Sequence, residues 1–182
     1  MLLPIPSERV FRFTFQPGLF AWPTSSSSTK PTEEGLKRYR YRPSLRGLPN
    51  LPSWMRYKYS RRHKAGFIYG VPPREVGRVV ELEVVATDRE TYQTGLLRVL
   101  INITQGDRAP RAVKLKLDNL NLEDLFDSHR LRNLKAVFKQ TLWPDASNDI
   151  HLSFLASALD QGDQALLILK LRKTTTYVYV KM

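Results

Sequence analysis

The sequence predicts a mainly β fold with an α+β part, a Greek-key β-sandwich followed by a small α+β domain. Three observations carry this. Up to Thr104 the apolar residues alternate at period two between turn residues. After Gln105 the breaker QGDRAP leads into a strand pattern, a helical stripe and further strands. The 182 residues, with 42% hydrophobic and 25% charged side chains, have ordinary globular usage and room for one large or two small domains, which excludes a disordered or fibrous chain.

Residues 9–15, RVFRFTF, set Phe11, Phe13 and Phe15 on one face of a strand against Arg12 and Thr14, and Pro17 and Gly18 end it. Residues 24–35 hold no apolar side chain and are rich in Ser, Thr and Pro, so they predict an exposed loop. KRYRYR at 37–42 alternates again, with Tyr39 and Tyr41 inward. LPNLP at 48–52 gives an extended, irregular approach to Trp54. FIYGVPP at 67–73 is a short strand closed by Gly70 and two prolines. In residues 77–88, Val80, Leu82 and Val84 alternate with Val79, Glu81 and Glu83, and GLLRVLINI at 95–103 follows after a polar turn.

The second part opens with a half-buried strand in which Val113, Leu115 and Leu117 alternate with lysines. Asn121 is a candidate helix cap with Asp124 in the first turn. Leu122, Leu125, Phe126, Leu131, Leu134, Val137, Phe138, Thr141 and Leu142 form an apolar stripe. Its phase slips at 127–130, which predicts a kink or two consecutive helices ending before Pro144. Strands at 151–157 and 164–171 form a hairpin turning at Gly162, and residues 174–182 make a last strand. The expected domains are therefore 8–104 and 111–182, joined by a linker at 105–110.

Net charge is +12, and its distribution is uneven: residues 1–64 hold 13 Lys and Arg against three Glu, whereas residues 65–182 hold 16 against 14 acids. Within residues 37–64, ten cations interleave with Tyr39, Tyr41, Trp54, Tyr57 and Tyr59. That mixture fits strands with inward tyrosines; the alternative is a basic nucleic-acid-binding module in which cations meet phosphates and rings stack on bases. Zero cysteines exclude disulfides, thiolate zinc sites and a cysteine nucleophile. No apolar run reaches the roughly 18 residues of a membrane span, and the first residues lack the apolar core of a signal peptide, so the chain is expected to be soluble as it stands.

No metalloprotease helix motif, nucleophile elbow or phosphate-binding glycine loop occurs. His63, His129 and His151 are scattered. The pairs Asp118 with Asp124 and Asp145 with Asp149 could act as paired carboxylates, but each flanks an element end where capping explains it. No catalytic residue and no enzyme is predicted. Asn102-Ile103-Thr104 is an N-glycosylation sequon, meaningful if the chain is exported.

The string LPSWMRYKYSRRHKAGFIYGVPP, followed by GRVVELEVVATD and GLLRVLINI, resembles the dystroglycan-type cadherin-like domain. The Trp-Met-Arg-Tyr run and the Tyr-Gly before proline narrow the likeness to the alpha and epsilon sarcoglycans. SALDQGDQALLIL, TTTYVYV and FKQTLWPD extend it, so that it covers residues 8–182. The resemblance implies a cadherin-like sandwich and a SEA-like or ferredoxin-like second domain. Its structural core would contain Trp54 as the plug between sheets, Phe67, Tyr69, Gly70 and Pro72 at a sharp strand exit, and the small Ala86. Met55 stands where the family has leucine, and Asp163 where it has a second turn glycine. Asp88 falls where cadherins place a calcium-ligating aspartate, making Asp88 and Glu90, with Asp107 nearby, a short candidate calcium set; no other cofactor is implied.

The role implied by the likeness is a structural subunit, the extracellular part of a component of the dystrophin-associated glycoprotein complex. Other sarcoglycans and dystroglycan would be its partners, at the outer face of the plasma membrane of muscle. Such proteins carry a leader, a cysteine-bearing segment, a transmembrane helix and a short cytoplasmic tail. None is recognisable in this sequence, so a fragment, a truncated isoform or a partial gene product is expected.

Overall fold

Ten strands are described in a computed structural model that covers residues 1–23, 39–106, 111–116, 122–142, 150–156 and 166–171. In chain order they are β1 (Leu2–Pro6), β2 (Phe11–Phe15), β3 (Tyr39–Leu45), β4 (Met55–Ser60), β5 (Ala65–Gly70), β6 (Val79–Asp88), β7 (Thr94–Thr104), β8 (Arg111–Lys116), β9 (His151–Ala156) and β10 (Leu166–Leu171). Among the described residues the one α-helix, α1, is Ser128–Val137. The predicted loop 24–35, the turn at 159–163 and the last strand 174–182 lie outside the described residues.

The first seven strands form two sheets, β1-β7-β6-β3 and β2-β5-β4. Period-two alternation does the sorting. Val80, Leu82, Val84, Ala86 and Asp88 of β6 are buried while Glu81, Glu83, Val85 and Thr87 are only partly covered. β6 pairs antiparallel with β7 from Val79 opposite Asn102 to Thr87 opposite Thr94, and with β3 from Tyr39 opposite Asp88 to Leu45 opposite Leu82. β1 was not legible in the sequence because Pro4 and Pro6 argue against a strand; at the edge of a sheet a missing N–H is tolerated.

Aromatic rings tie the two sheets together. Phe15 of β2 is fully buried and meets Tyr41 of β3 edge-on, with centroids 5.1 Å apart, and stacks with Tyr57 of β4 at 6.0 Å. Tyr41 stacks with Tyr59 at 6.1 Å and with Phe20 at 5.5 Å. Beneath them, Ala86 faces Gly95 across the ladder. A side chain on Gly95 would meet the Phe20 Cβ and the Trp22 ring, so the bare glycine leaves room for both residues.

Burial pushes the Tyr57 hydroxyl up to about 12, with the neighbouring Tyr59 adding to the shift, and raises Tyr41 further and Tyr59 in the same sense. Unfolded tyrosines ionise near 10, so between about pH 10 and 12 the native state holds more protons than the unfolded state, and stability falls as pH rises. Denaturant midpoints are expected to be insensitive to these groups below pH 9 and to drop steeply above pH 10. Tyr57→Phe should flatten that drop; an unchanged alkaline profile in this variant would contradict the inward placement.

The chain divides into two compact units, the first of Met1–Ile5, Phe13–Tyr69 and Glu75–Thr104, the second of Pro6–Arg12, Gly70–Arg74 and Gln105–Met182. The expected division at 105–110 is thus not a single cut, since two short segments upstream of it group with the second unit. Backbone bonds explain why. Val10 N–H donates to the Leu152 carbonyl at 2.8 Å and Glu8 N–H to that of Pro72 at 2.9 Å.

In the second unit β8-β10-β9 form an antiparallel sheet, with a register irregularity between Ile168 and Leu169. The slip in the helical stripe is resolved as two elements. A 3-10 turn at Leu122–Phe126 ends at Asp127, whose extended backbone and side chain cap α1 by accepting the His129 N–H at 2.8 Å. That hydrogen bond holds the Asp127 carboxylate below its usual range. Past Val137 the chain widens into a π turn, Phe138–Leu142, that sinks Phe138 completely.

Candidate interaction surface

Of the candidate calcium set, Asp88 and Glu90 are among the described residues and sit at the β6–β7 turn. Asp88 has the inward parity of β6 and is 5% exposed, and its Oδ1 accepts the Glu90 N–H at 2.9 Å. Its backbone N–H donates to the Gln93 carbonyl and its own carbonyl accepts from Tyr92, so Asp88 closes the β6–β7 hairpin. Glu90 is exposed on that turn. Calcium takes six to eight oxygens, and among the described residues no three metal-ligating side chains come together. Asp107 lies outside the described residues.

Phe67, Tyr69, Pro72 and Ala86 are buried and Gly70 is partly so, at the end of β5. Trp54 is a correction. It sits half-buried in the turn before β4, where the Met55 N–H donates to the Pro52 carbonyl at 2.9 Å. The strand begins at Met55, which takes the inward position with Tyr57 and Tyr59. The centre of the sandwich belongs to Phe15.

No constellation of catalytic type is assembled among the described residues. His63 is half-buried and meets the Phe67 ring edge-on at 5.6 Å, His129 is exposed at the start of α1, and His151 is buried on β9. Asp124 is held by Arg130 at 2.6 Å, while Asp118, Asp145 and Asp149 lie outside the described residues. Arg12 donates to the Phe126 carbonyl and, at 2.7 Å, to Ser128 Oγ, clasping the junction between the 3-10 turn and α1. These polar groups serve the fold.

Asn102 has outward parity on β7, between the buried Ile101 and Ile103, and is partly exposed opposite the exposed Val79. The basic stretch is divided by the fold in a way the sequence did not show. Tyr41 is inward, while Arg40, Arg42 and Arg56 are exposed on β3 and β4, the edge strands of their sheets. Arg61, Arg62 and Lys64 are exposed in the turn joining β4 to β5. Sequence reasoning spread this charge over 37–64; the signal that could have singled out the turn is the run RRHK between two strand patterns.

Two family models match the chain in succession, the sarcoglycan alpha/epsilon N-terminal domain over residues 5–104 and the sarcoglycan alpha/epsilon second domain over residues 108–182. Epsilon-sarcoglycan of Rattus norvegicus is 30% identical over 154 residues, which are 83% of this chain and 35% of that protein. Epsilon-sarcoglycan of Homo sapiens is 29% identical over the same shares, and human alpha-sarcoglycan 28% identical over 142 residues, 77% of this chain and 36% of its own length. The chain thus spans about a third of the length of these relatives.

Proposed function

Since the chain belongs to the alpha/epsilon sarcoglycan family, we propose that it works as a non-enzymatic structural subunit on the extracellular face of a membrane complex, assembling with other sarcoglycans and with dystroglycan. The observation that carries this is the pair of family matches, in order, over nearly the whole chain. A structural role agrees with the use of Asp88, Asp124 and Asp127 in turns, ion pairs and caps. The reading includes a glycan on Asn102, whose outward parity gives an attached sugar somewhere to go. The nucleic-acid alternative needs free rings; Tyr41, Tyr57 and Tyr59 instead spend their faces on one another and on Phe15.

The test is to express the tagged chain behind a secretion leader in cells that make the other sarcoglycans. Co-purification of those subunits and dystroglycan is expected, with a glycosidase-sensitive mobility shift that Asn102→Gln removes. Recovery of a folded, exported chain without any of them would sink the proposal.

A further inference from the structure

The ladder of β3, β6 and β7 fixes which side chains share a row on the outward face of their sheet. Arg42, Val85 and Leu96 stand opposite one another, and Ala21 bridges to Leu96. Arg40, Thr87 and Thr94 form the next row, nearest the β6–β7 turn. Both rows have outward parity, because Val84, Ala86 and Asp88 are the buried set of β6. Further from the turn the face carries ion pairs, Arg98 with Glu83 at 3.1 Å and Arg46 with Glu81 at 2.9 Å. The turn end is different: an uncharged strip of Ala21, Leu96, Val85, Thr87 and Thr94, edged by Arg40 and Arg42. Those two arginines, and Arg89 in the turn, have no ion pair among the described residues.

The turn at the end of this strip presents Tyr92. It is 80% exposed, more than any other large hydrophobic residue among those described, and its backbone is left-handed at φ 57°. Neither condition suits a bulky side chain. The turn is nonetheless firmly made: Asp88 accepts the Tyr92 N–H on its carbonyl and the Glu90 N–H on Oδ1, and donates its own N–H to the Gln93 carbonyl. A strained backbone is thus held in place with an aromatic ring in water, and a ring on a fixed turn loses little freedom when a partner covers it.

We propose that Tyr92, Leu96 and Val85 form the centre of the surface by which this chain docks on another subunit of its complex, and that the partner brings an apolar pocket rimmed by carboxylates. Tyrosine and arginine around a small apolar centre are the make-up of interface hot spots. Arg40, Arg42 and Arg89, left without acids here, find them on the partner. The other end of the same face carries Asn102, roughly 27 Å from Thr94 along β7 at about 3.4 Å per residue. A glycan there keeps that end in water, so contact falls to the turn end. The inference rests on the assembly with other sarcoglycans proposed above and names the surface that makes it.

For the test, the tagged chain is exported from cells that make the other sarcoglycans in four forms: native, Tyr92→Asn/Leu96→Thr, Arg40→Glu/Arg42→Glu, and a control, Leu48→Thr/Val76→Thr. The control trims exposed apolar side chains beyond the other ends of β3 and β6. Per exported chain, both surface variants should recover about tenfold less of the partner subunits or lower, while the control stays within about twofold of native. Asparagine takes a left-handed backbone more readily than tyrosine, so Tyr92→Asn/Leu96→Thr should melt within about 3 °C of the native chain or above it, which separates a lost contact from a lost fold. Full recovery of the partners by either surface variant would overturn the surface and leave the assembly standing; no partner with the native chain would overturn both. Equal loss in the control would reduce the effect to exposed apolar area and overturn the site. A dimer of the native chain alone that Tyr92→Asn/Leu96→Thr dissolves would overturn the subunit partner in favour of a second copy.

Discussion

Replacing Phe15 by alanine is expected to cost about 3–5 kcal/mol, the range for deleting a large aromatic from a core. Phe15 is fully buried and its ring is shared by Phe20, Tyr41 and Tyr57, so its loss opens a cavity between the sheets. The same ring closes over Gly66 of β5. A methyl group there would overlap the Phe15 ring edge, and the ring is hemmed in on its other sides. Gly66→Ala should therefore destabilise by about 2–3 kcal/mol in the native background, as overpacking does, and by at least about 1 kcal/mol less once Phe15→Leu has cleared the space. Denaturant midpoints of the two single variants and the double variant measure that coupling. Strictly additive values would mean that Phe15 does not lie over Gly66.

Gly106→Ala should be almost as damaging, for a different reason. A methyl group at Gly106 would run into the main-chain carbonyl of Ser7, which no side-chain rotation can relieve. Gly106 N–H also donates to Ser7 Oγ at 3.1 Å, and Ser7 is 5% exposed. Overpacking and a lost buried hydrogen bond together give about 2–4 kcal/mol. Gly18→Ala is the control, since a methyl there meets nothing within 4 Å, and it should stay within about 0.5 kcal/mol. Thermal melts of the two variants settle it: a Gly106→Ala protein melting with Gly18→Ala would show that 105–106 is only a tether.

Much of the surface chemistry could be read without coordinates. The family was legible because its motifs are local strings. The candidate site was legible only as composition. Ten cations at 37–64 cannot say which of them an acid neutralises, because Glu81, the partner of Arg46, is 35 residues away. Trp54, expected at the centre, is half-buried in the turn before β4, whose first residue is Met55.

The sequence alone determined the alternating strands β2, β3, β5, β6 and β7 and the break at 127, because period two and helical spacing record which face of a segment avoids water. It also determined that cations crowd into the first third of the chain. Only the tertiary structure decided that Phe15 rather than Trp54 fills the centre and that Asp88 turns inward to close a hairpin. It alone showed Gly106, read as part of a linker, pressed against the main chain of Ser7. Each of these depends on what lies opposite a residue across a sheet or at long range in the chain, and no local pattern encodes that.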